Sequence, residues 1–264
     1  MYDKYSVLLV SVENKIATIK FNRPEFGNAL ALDTVAEMED VIEKLSGDKA
    51  VGAIVLTGNG KLFCAGGDIK GFKKMINDKV DLSKERVVAI GKMIAELRRC
   101  PKPVIAMVNG AAAGAGCSIA MACDFRVVTP RSQMAMSFIN MGFCGDTGGI
   151  FFMERLLGTG LTTDLIMTGR SVRGEEAVRI GLASKLAPEG ELESVTYEFA
   201  GTLAARPLFA IAEQKKILNT LFYSNLEESA ALEAEGMNAC SRTKDFAEAV
   251  DAFLEKRTPH FIGE

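Results

Sequence analysis

The chain has 264 residues, 48% of them hydrophobic and 25% charged, enough apolar content to bury one substantial core at the upper end of single-domain size. A formal net charge of -3, with no run of basic residues, argues against a nucleic-acid or polyanion partner. The single histidine, His260, lies in the C-terminal tail, so any mechanism that needs a histidine base is confined to that residue.

The opening MYDKYSVLLVSVENK lacks the succession of basic, apolar and small residues that marks a secretory leader. No stretch approaches ~18 uninterrupted apolar residues, so a cytoplasmic protein with no membrane partner is expected. Cys64, Cys100, Cys117, Cys123, Cys144 and Cys240 form no CxxC pair and have no histidine at ligand spacing. They read as reduced structural thiols, and neither a metal nor a cofactor is expected.

In chain order, VLLVSV (7–12) and KIATIKF (15–21) read as a hairpin around Glu13 and Asn14. Val35, Met38, Ile42 and Leu45 follow helical spacing over 32–45, and Ser46-Gly47-Asp48 closes that helix. GAIVLTG (52–58) reads as a buried strand. The polar stretch 77–83 reads as a mobile loop. Val87, Ile90, Ile94 and Leu97 predict a helix that runs into Pro101 and Pro103, and VIAMV (104–108) is a second buried strand. Near-continuous apolar strands joined by amphipathic helices indicate an α/β fold with a mainly parallel sheet covered by helices. From about Gly174 onward strand signals fade, and the C-terminal third reads as helices suited to oligomer contacts or a lid.

Three strand exits are rich in glycine: 58–68, 109–116 and 142–149. Glycine lets a ligand approach the backbone, and the first N–H groups of a following helix are free to meet it. A single such loop only permits a tight turn; three together point to a ligand. The order Gly110, Gly114, Gly116 does not fit a dinucleotide fingerprint, and no GK[ST] occurs. Gly116-Cys117-Ser118-Ile119-Ala120 approximates a hydrolase elbow with His260 downstream, but Ser118 falls inside a predicted helix rather than on the turn after a strand. Asp146 reads in two ways: as the N-cap of a helix starting near Thr147, or as a desolvated carboxyl suited to general-base work. Asp68 reads as an N-cap.

Together these motifs resemble the crotonase, or enoyl-CoA hydratase/isomerase, superfamily. The resemblance rests on IATIKFNRPEFGNAL (16–30), GAIVLTGNGKLFCAGGDIK (52–70), KPVIAMVNGAAAGAGCSIAMACDFRV (102–127), MGFCGDTGGIFFMERLLG (141–158) and TGRSVRGEEAVRIGLASKL (168–186). It implies a repeated ββα spiral core over 1–200, a helical trimerisation region over 201–264, and a homotrimer or homohexamer. It also implies an acyl-CoA substrate, with coenzyme A part of that substrate rather than a cofactor. The oxyanion-hole amides would be those of Ala65 and Ala115. CoA would lie along Arg23, Ala29, Gly66, Gly67, Asp68 and Ile69, with Gly114 and Phe138 nearby and Phe253 or Lys256 from a neighbouring helix. Glu25 stands where relatives carry a basic residue.

Hydratases of the superfamily use two glutamates, and the matching positions here hold Ser118 and Phe138, so two-carboxylate hydration is not expected. Asp146 matches the position where single-base isomerases carry their carboxylate. The expectation is therefore a shift of a double bond from a 3-enoyl-CoA to a 2-enoyl-CoA, with Asp146 as base. Two alternatives stand beside it: acyl-CoA hydrolysis or ring chemistry using Asp146, and a catalytically silent acyl-CoA binder. Phe138, Phe143, Phe151 and Phe152 suggest an apolar acyl pocket or, equally, plain core.

Overall fold

The computed structural model describes residue 2 and residues 4–264. It opens with the expected hairpin, β1 (Leu8–Glu13) and β2 (Ile16–Phe21), paired antiparallel. Asn14 and Lys15 between them both take positive φ, 51° and 65°, as a two-residue turn that matches strand twist requires. From β2 onward the large sheet is parallel, adding β3 (Ala53–Gly58), β4 (Val104–Met107), β6 (Phe125–Val128) and β9 (Lys185–Leu186) in the order β1-β2-β3-β4-β6-β9. A second sheet holds β5 (Ala111–Ala113), β7 (Gln133–Ala135) and β8 (Ser171–Arg173).

The expected ββα repeat is visible in this division. β4 and β5 feed α4 (Ala115–Ala122), and β6 and β7 feed a 3₁₀ turn (Ser137–Met141) and then α5 (Gly149–Thr168). Each of these two units gives one strand to each sheet. The remaining helices are α1 (Leu32–Gly47), α2 (Ile69–Asp78), α3 (Lys84–Arg99), α6 (Gly174–Arg179), α7 (Leu192–Ala204), α8 (Leu208–Phe222), α9 (Leu226–Cys240) and α10 (Lys244–Glu255). Among the described residues, no helix is long and apolar enough to cross a membrane.

All six residues of β3 are buried, because helices cover both faces of the sheet. Ile54 and Leu56 join one core with Met38, Ile42 and Leu45 of α1, whereas Ala53 and Val55 join a second with Ala200 and Ala204 of α7. The period-two alternation of a strand sorts them. The boundary expected at 200/201 falls inside α7, which packs on β2, β3, β4 and β6. Helix α9 is also part of the body of the molecule: a Cβ on Gly91 of α3 would lie 2.6 Å from the Ala230 Cβ, so the two helices cross closely.

Two other expectations are corrected. Residues 77–83 do not form a free loop, since α2 runs to Asp78 and Leu82 is buried. Its N–H donates to Ser241 Oγ at 3.1 Å and its carbonyl accepts from Asn238 Nδ2 at 2.8 Å, which ties the segment to α9. Strand signals do not end at Gly174 either, because β9 pairs with β6 through Val127 and Val128. Helix α8 is anchored by Lys215, whose Nζ reaches Asp124 Oδ2 at 2.6 Å, while Arg98 Nη1 reaches Asp124 Oδ1 at 2.9 Å. All three side chains are largely withdrawn from solvent.

Candidate active site

The first two glycine-rich exits meet backbone to backbone. Phe63 N–H donates to Ala111 O at 3.1 Å and Ala113 N–H to Cys64 O at 3.0 Å. A Cβ on Gly116 would lie 2.3 Å from Cys64 O, and one on Gly66, where φ is 94°, would lie 2.7 Å from Ala113 O. Only glycine permits that approach.

This arrangement decides which amides are free, and it corrects one expectation. The Ala65 N–H donates to Gly27 O at 2.9 Å, so it is engaged within the chain and is not available to a ligand. The Gly66 N–H faces the Cys64 thiol. The next amide, Gly67, meets no acceptor among the described residues, and neither does Ala115, the first residue of α4 after its Gly114 N-cap. A Cβ on Gly66 would lie 3.5 Å from the Ala115 nitrogen, which sets the two turns side by side. Gly67 and Ala115 both line one cavity.

Asp146 faces that cavity from the third glycine-rich exit. It is not an N-cap: Thr147 and Gly148 both take left-handed backbone, with φ of 63° and 69°, and α5 starts only at Gly149. Left-handed backbone at a β-branched residue such as Thr147 is strained, on the order of 1–3 kcal/mol. Thr147 Oγ1 donates to Asp146 Oδ1 at 2.5 Å. Burial pushes the Asp146 carboxyl up to about 6, and the Thr147 hydroxyl and the Arg86 positive charge oppose that rise. Among the described residues, Asp146 and Arg86 are the only charged ones on the cavity wall; the rest is mainly apolar, including Leu30, Ile69, Phe72, Val87, Phe138 and Phe143.

Ser118 sits behind the site inside α4, fully buried, its Oγ 3.3 Å from both the Gly114 and Asp146 carbonyls. His260 is exposed in the tail, so no Ser118–His260 arrangement forms. Glu233 was not singled out from the sequence. It lies on α9, is 7% exposed, and its Oε2 accepts the Gly148 N–H at 2.9 Å. The available signal was a carboxylate inside the apolar stripe Leu226, Ala230, Ala234 and Met237 of a helix.

The cavity, about 80 Å³, opens into a groove of about 610 Å³; the two share Ala65, Gly67, Ile69, Ser137 and Met141. Of the residues expected to hold CoA, Ala29, Gly67, Asp68 and Ile69 line the groove, whereas Gly66, Gly114 and Phe138 line the cavity. Asp68 is the N-cap of α2, accepting from the Lys70 and Gly71 amides. Arg23 stands 3.5 Å from Asp68 Oδ2, donates to Ala29 O at 2.7 Å and lies over the Phe26 ring, so it shapes the groove from behind. Lys256 lies outside the lining; α10 contributes Ala249, Phe253 and Leu254, and Arg257 follows it. Lys70 and Arg257 supply the groove's cations, and Glu25 lines it as an acidic residue. Of the four phenylalanines expected there, Phe138 and Phe143 face the cavity, whereas Phe151 and Phe152 pack with Tyr223 in the core.

The sequence profile of the enoyl-CoA hydratase/isomerase family matches residues 11–264. The chain belongs to this family. A short-chain-enoyl-CoA hydratase of Clostridium acetobutylicum is 35% identical over 251 residues, 95% of each chain. A trans-2-decenoyl-acyl-carrier-protein isomerase of Streptococcus mutans is 30% identical over 261 residues, 98% of this chain and 99% of the relative. The crystal structure of an enoyl-CoA hydratase from Mycobacterium avium subsp. paratuberculosis superposes with a TM-score of 0.88 at 25% identity, covering 97% of this chain and 99% of that one. The family thus includes proteins named for hydration and for isomerisation, and the two-sheet α/β architecture described above is the crotonase fold.

Proposed function

We propose that this family member is an enoyl-CoA isomerase that moves a double bond by one-base proton transfer. The observation that carries the reading is Asp146: the one carboxyl on the cavity wall among the described residues, buried, with a proton affinity raised to about 6. That value suits a group that must take and return a proton near neutrality. The thioester oxygen of a 3-enoyl-CoA would accept hydrogen bonds from the Gly67 and Ala115 amides, Asp146 would remove the proton at C2, and the resulting acid would deliver it to C4. Each amide would stabilise the developing dienolate by roughly 3 kcal/mol. One carboxylate suffices because the proton is moved and not consumed.

Hydration fits less well, because activating a water and protonating carbon calls for a second carboxylate facing the cavity. Ser118 is turned onto two carbonyls, and Phe138 presents an aromatic ring. The CoA moiety would occupy the groove between Phe26 and Phe253. A homotrimer or homohexamer is proposed as well, since Phe209, Leu221 and Phe222 of α8 are more than half exposed; a monomer by light scattering at micromolar concentration would count against it.

Wild type and Asp146→Asn assayed side by side on 3-enoyl-CoA, 2-enoyl-CoA and free-thiol release test the function. The expected result is isomerisation without thiol release, reduced about 100-fold or more by the substitution. Near-normal isomerisation by the variant would refute Asp146 as the base, whereas acyl-CoA binding by wild type without turnover on any of these substrates would favour a silent acyl-CoA binder.

A further inference from the structure

Glu233 Oε2 accepts the Gly148 N–H, and its Oε1 has no hydrogen-bond partner among the described residues although the side chain is 7% exposed. A buried carboxylate with one oxygen unmet is costly, because ionised groups leave water only with strong compensation. The site is therefore built for a neutral acid. Burial pushes the Glu233 carboxyl up to about 8; the Gly148 amide opposes this rise and the nearby Asp146 charge adds to it.

We propose that Glu233 is a positioning residue of the proton-transfer site: it holds the Asp146–Gly148 turn through the Gly148 amide, and as a neutral acid keeps a second negative charge away from the reacting thioester. This role rests on the reading of Asp146 as the base. The turn needs such a hold, because Thr147 and Gly148 are both left-handed and the Gly148 amide lies before the first turn of α5, where no intrahelical acceptor exists. The titratable and charged groups around Glu233 are few. Asp146 and Cys144 stand on the loop before α5, with the Cys144 thiol over Gly236 of α9. Arg86 and Lys84 stand on the first turn of α3, with Lys84 paired to Glu235, and Cys240 lies one turn further along α9. None of these gives Glu233 a cationic partner.

While Glu233 keeps its proton the site carries one carboxylate, Asp146. Once that proton is lost to solvent, Glu233 carries a charge of its own, and the dienolate that forms as Asp146 takes up the C2 proton meets the repulsion of the Glu233 carboxylate. The isomerisation rate of wild type should accordingly fall on the alkaline side, to about a tenth of its plateau one pH unit above the Glu233 midpoint. Glu233→Gln mimics the protonated acid: it can still accept the Gly148 N–H and cannot ionise. It should keep plateau activity within about twofold and lose the alkaline limb. Glu233→Leu, which lacks the acceptor, should lose turnover that Gln retains.

The decisive measurement pairs these profiles with a ¹³C titration of the Asp146 carboxyl, its signal assigned by its loss in Asp146→Asn. Wild type should show a second, alkaline step that Glu233→Gln abolishes. A Glu233→Gln enzyme whose alkaline limb and Asp146 titration match wild type overturns the proposal. Should Asp146→Asn isomerise normally, the base assignment falls, while the Asp146 titration still reports whether Glu233 is coupled to it.

Discussion

Asp146 and Arg86 face the same apolar cavity, and the guanidinium lowers the proton affinity of a carboxyl that burial has raised. Arg86 forms no ion pair among the described residues, so its charge bears on the cavity itself. Replacing it with glutamine leaves the burial effect less opposed and favours the neutral carboxylic acid. The acid limb of the isomerisation profile should move to higher pH, with activity at pH 6 falling by about threefold relative to the plateau. Arg86→Lys should stay near wild type. A glutamine variant with an unmoved limb would show that Arg86 does not reach the base.

Removing one amide donor tests the thioester site without touching Asp146. Ala115 is the first residue of α4, a position where proline is tolerated because its nitrogen has no intrahelical partner. Ala115→Pro should therefore fold, bind acyl-CoA, and lose about 10²–10³ in kcat. An unchanged kcat in a folded variant would remove Ala115 from the mechanism.

Both buried carboxyls have raised folded values, about 6 for Asp146 and about 8 for Glu233, against ordinary values of 3.8 and 4.5. A group raised in this way favours the folded state fully below its ordinary value, and that contribution is lost as pH rises through the folded value. Stability from these two groups should thus decline from about pH 4 to about pH 8. Asp146→Asn should be more stable than wild type at pH 7, on the order of 3 kcal/mol, with little difference at pH 4. Urea denaturation at both pH values measures this; a gain at neither, or an equal gain at both, contradicts it.

Asp124 offers a test of packing remote from the cavity. It holds both Arg98 and Lys215, each nearly buried, so Asp124→Ala leaves two cations without their carboxylate. The expected loss is about 3–5 kcal/mol. The exposed Arg99–Glu227 pair provides the contrast, and Glu227→Ala should change stability by less than about 1 kcal/mol. Chemical denaturation of both variants decides whether burial makes that difference.

Much of the fold could be read locally. The β1–β2 hairpin follows from its strand composition and a short polar turn, β3 and β4 from apolar runs between breakers, and α1 and α3 from helical spacing. The three glycine-rich exits and Asp146 were likewise marked by composition, and the motif series as a whole pointed to the family. All of these signals lie within a few residues of the feature they announce.

The identity of the free amide was a different kind of question. Ala65 and Gly67 are equivalent as sequence, and what separates them is that the Gly27 carbonyl, from a distant segment, takes the Ala65 N–H. Glu233 and Gly148 lie 85 residues apart and meet only when α9 packs over the turn before α5. Periodicity and propensity determined which elements form and where small residues let backbones approach. Whether a donor is left unmet, and whether a carboxyl keeps its proton, depends on acceptors and desolvation supplied by other segments, so only the tertiary structure decided it.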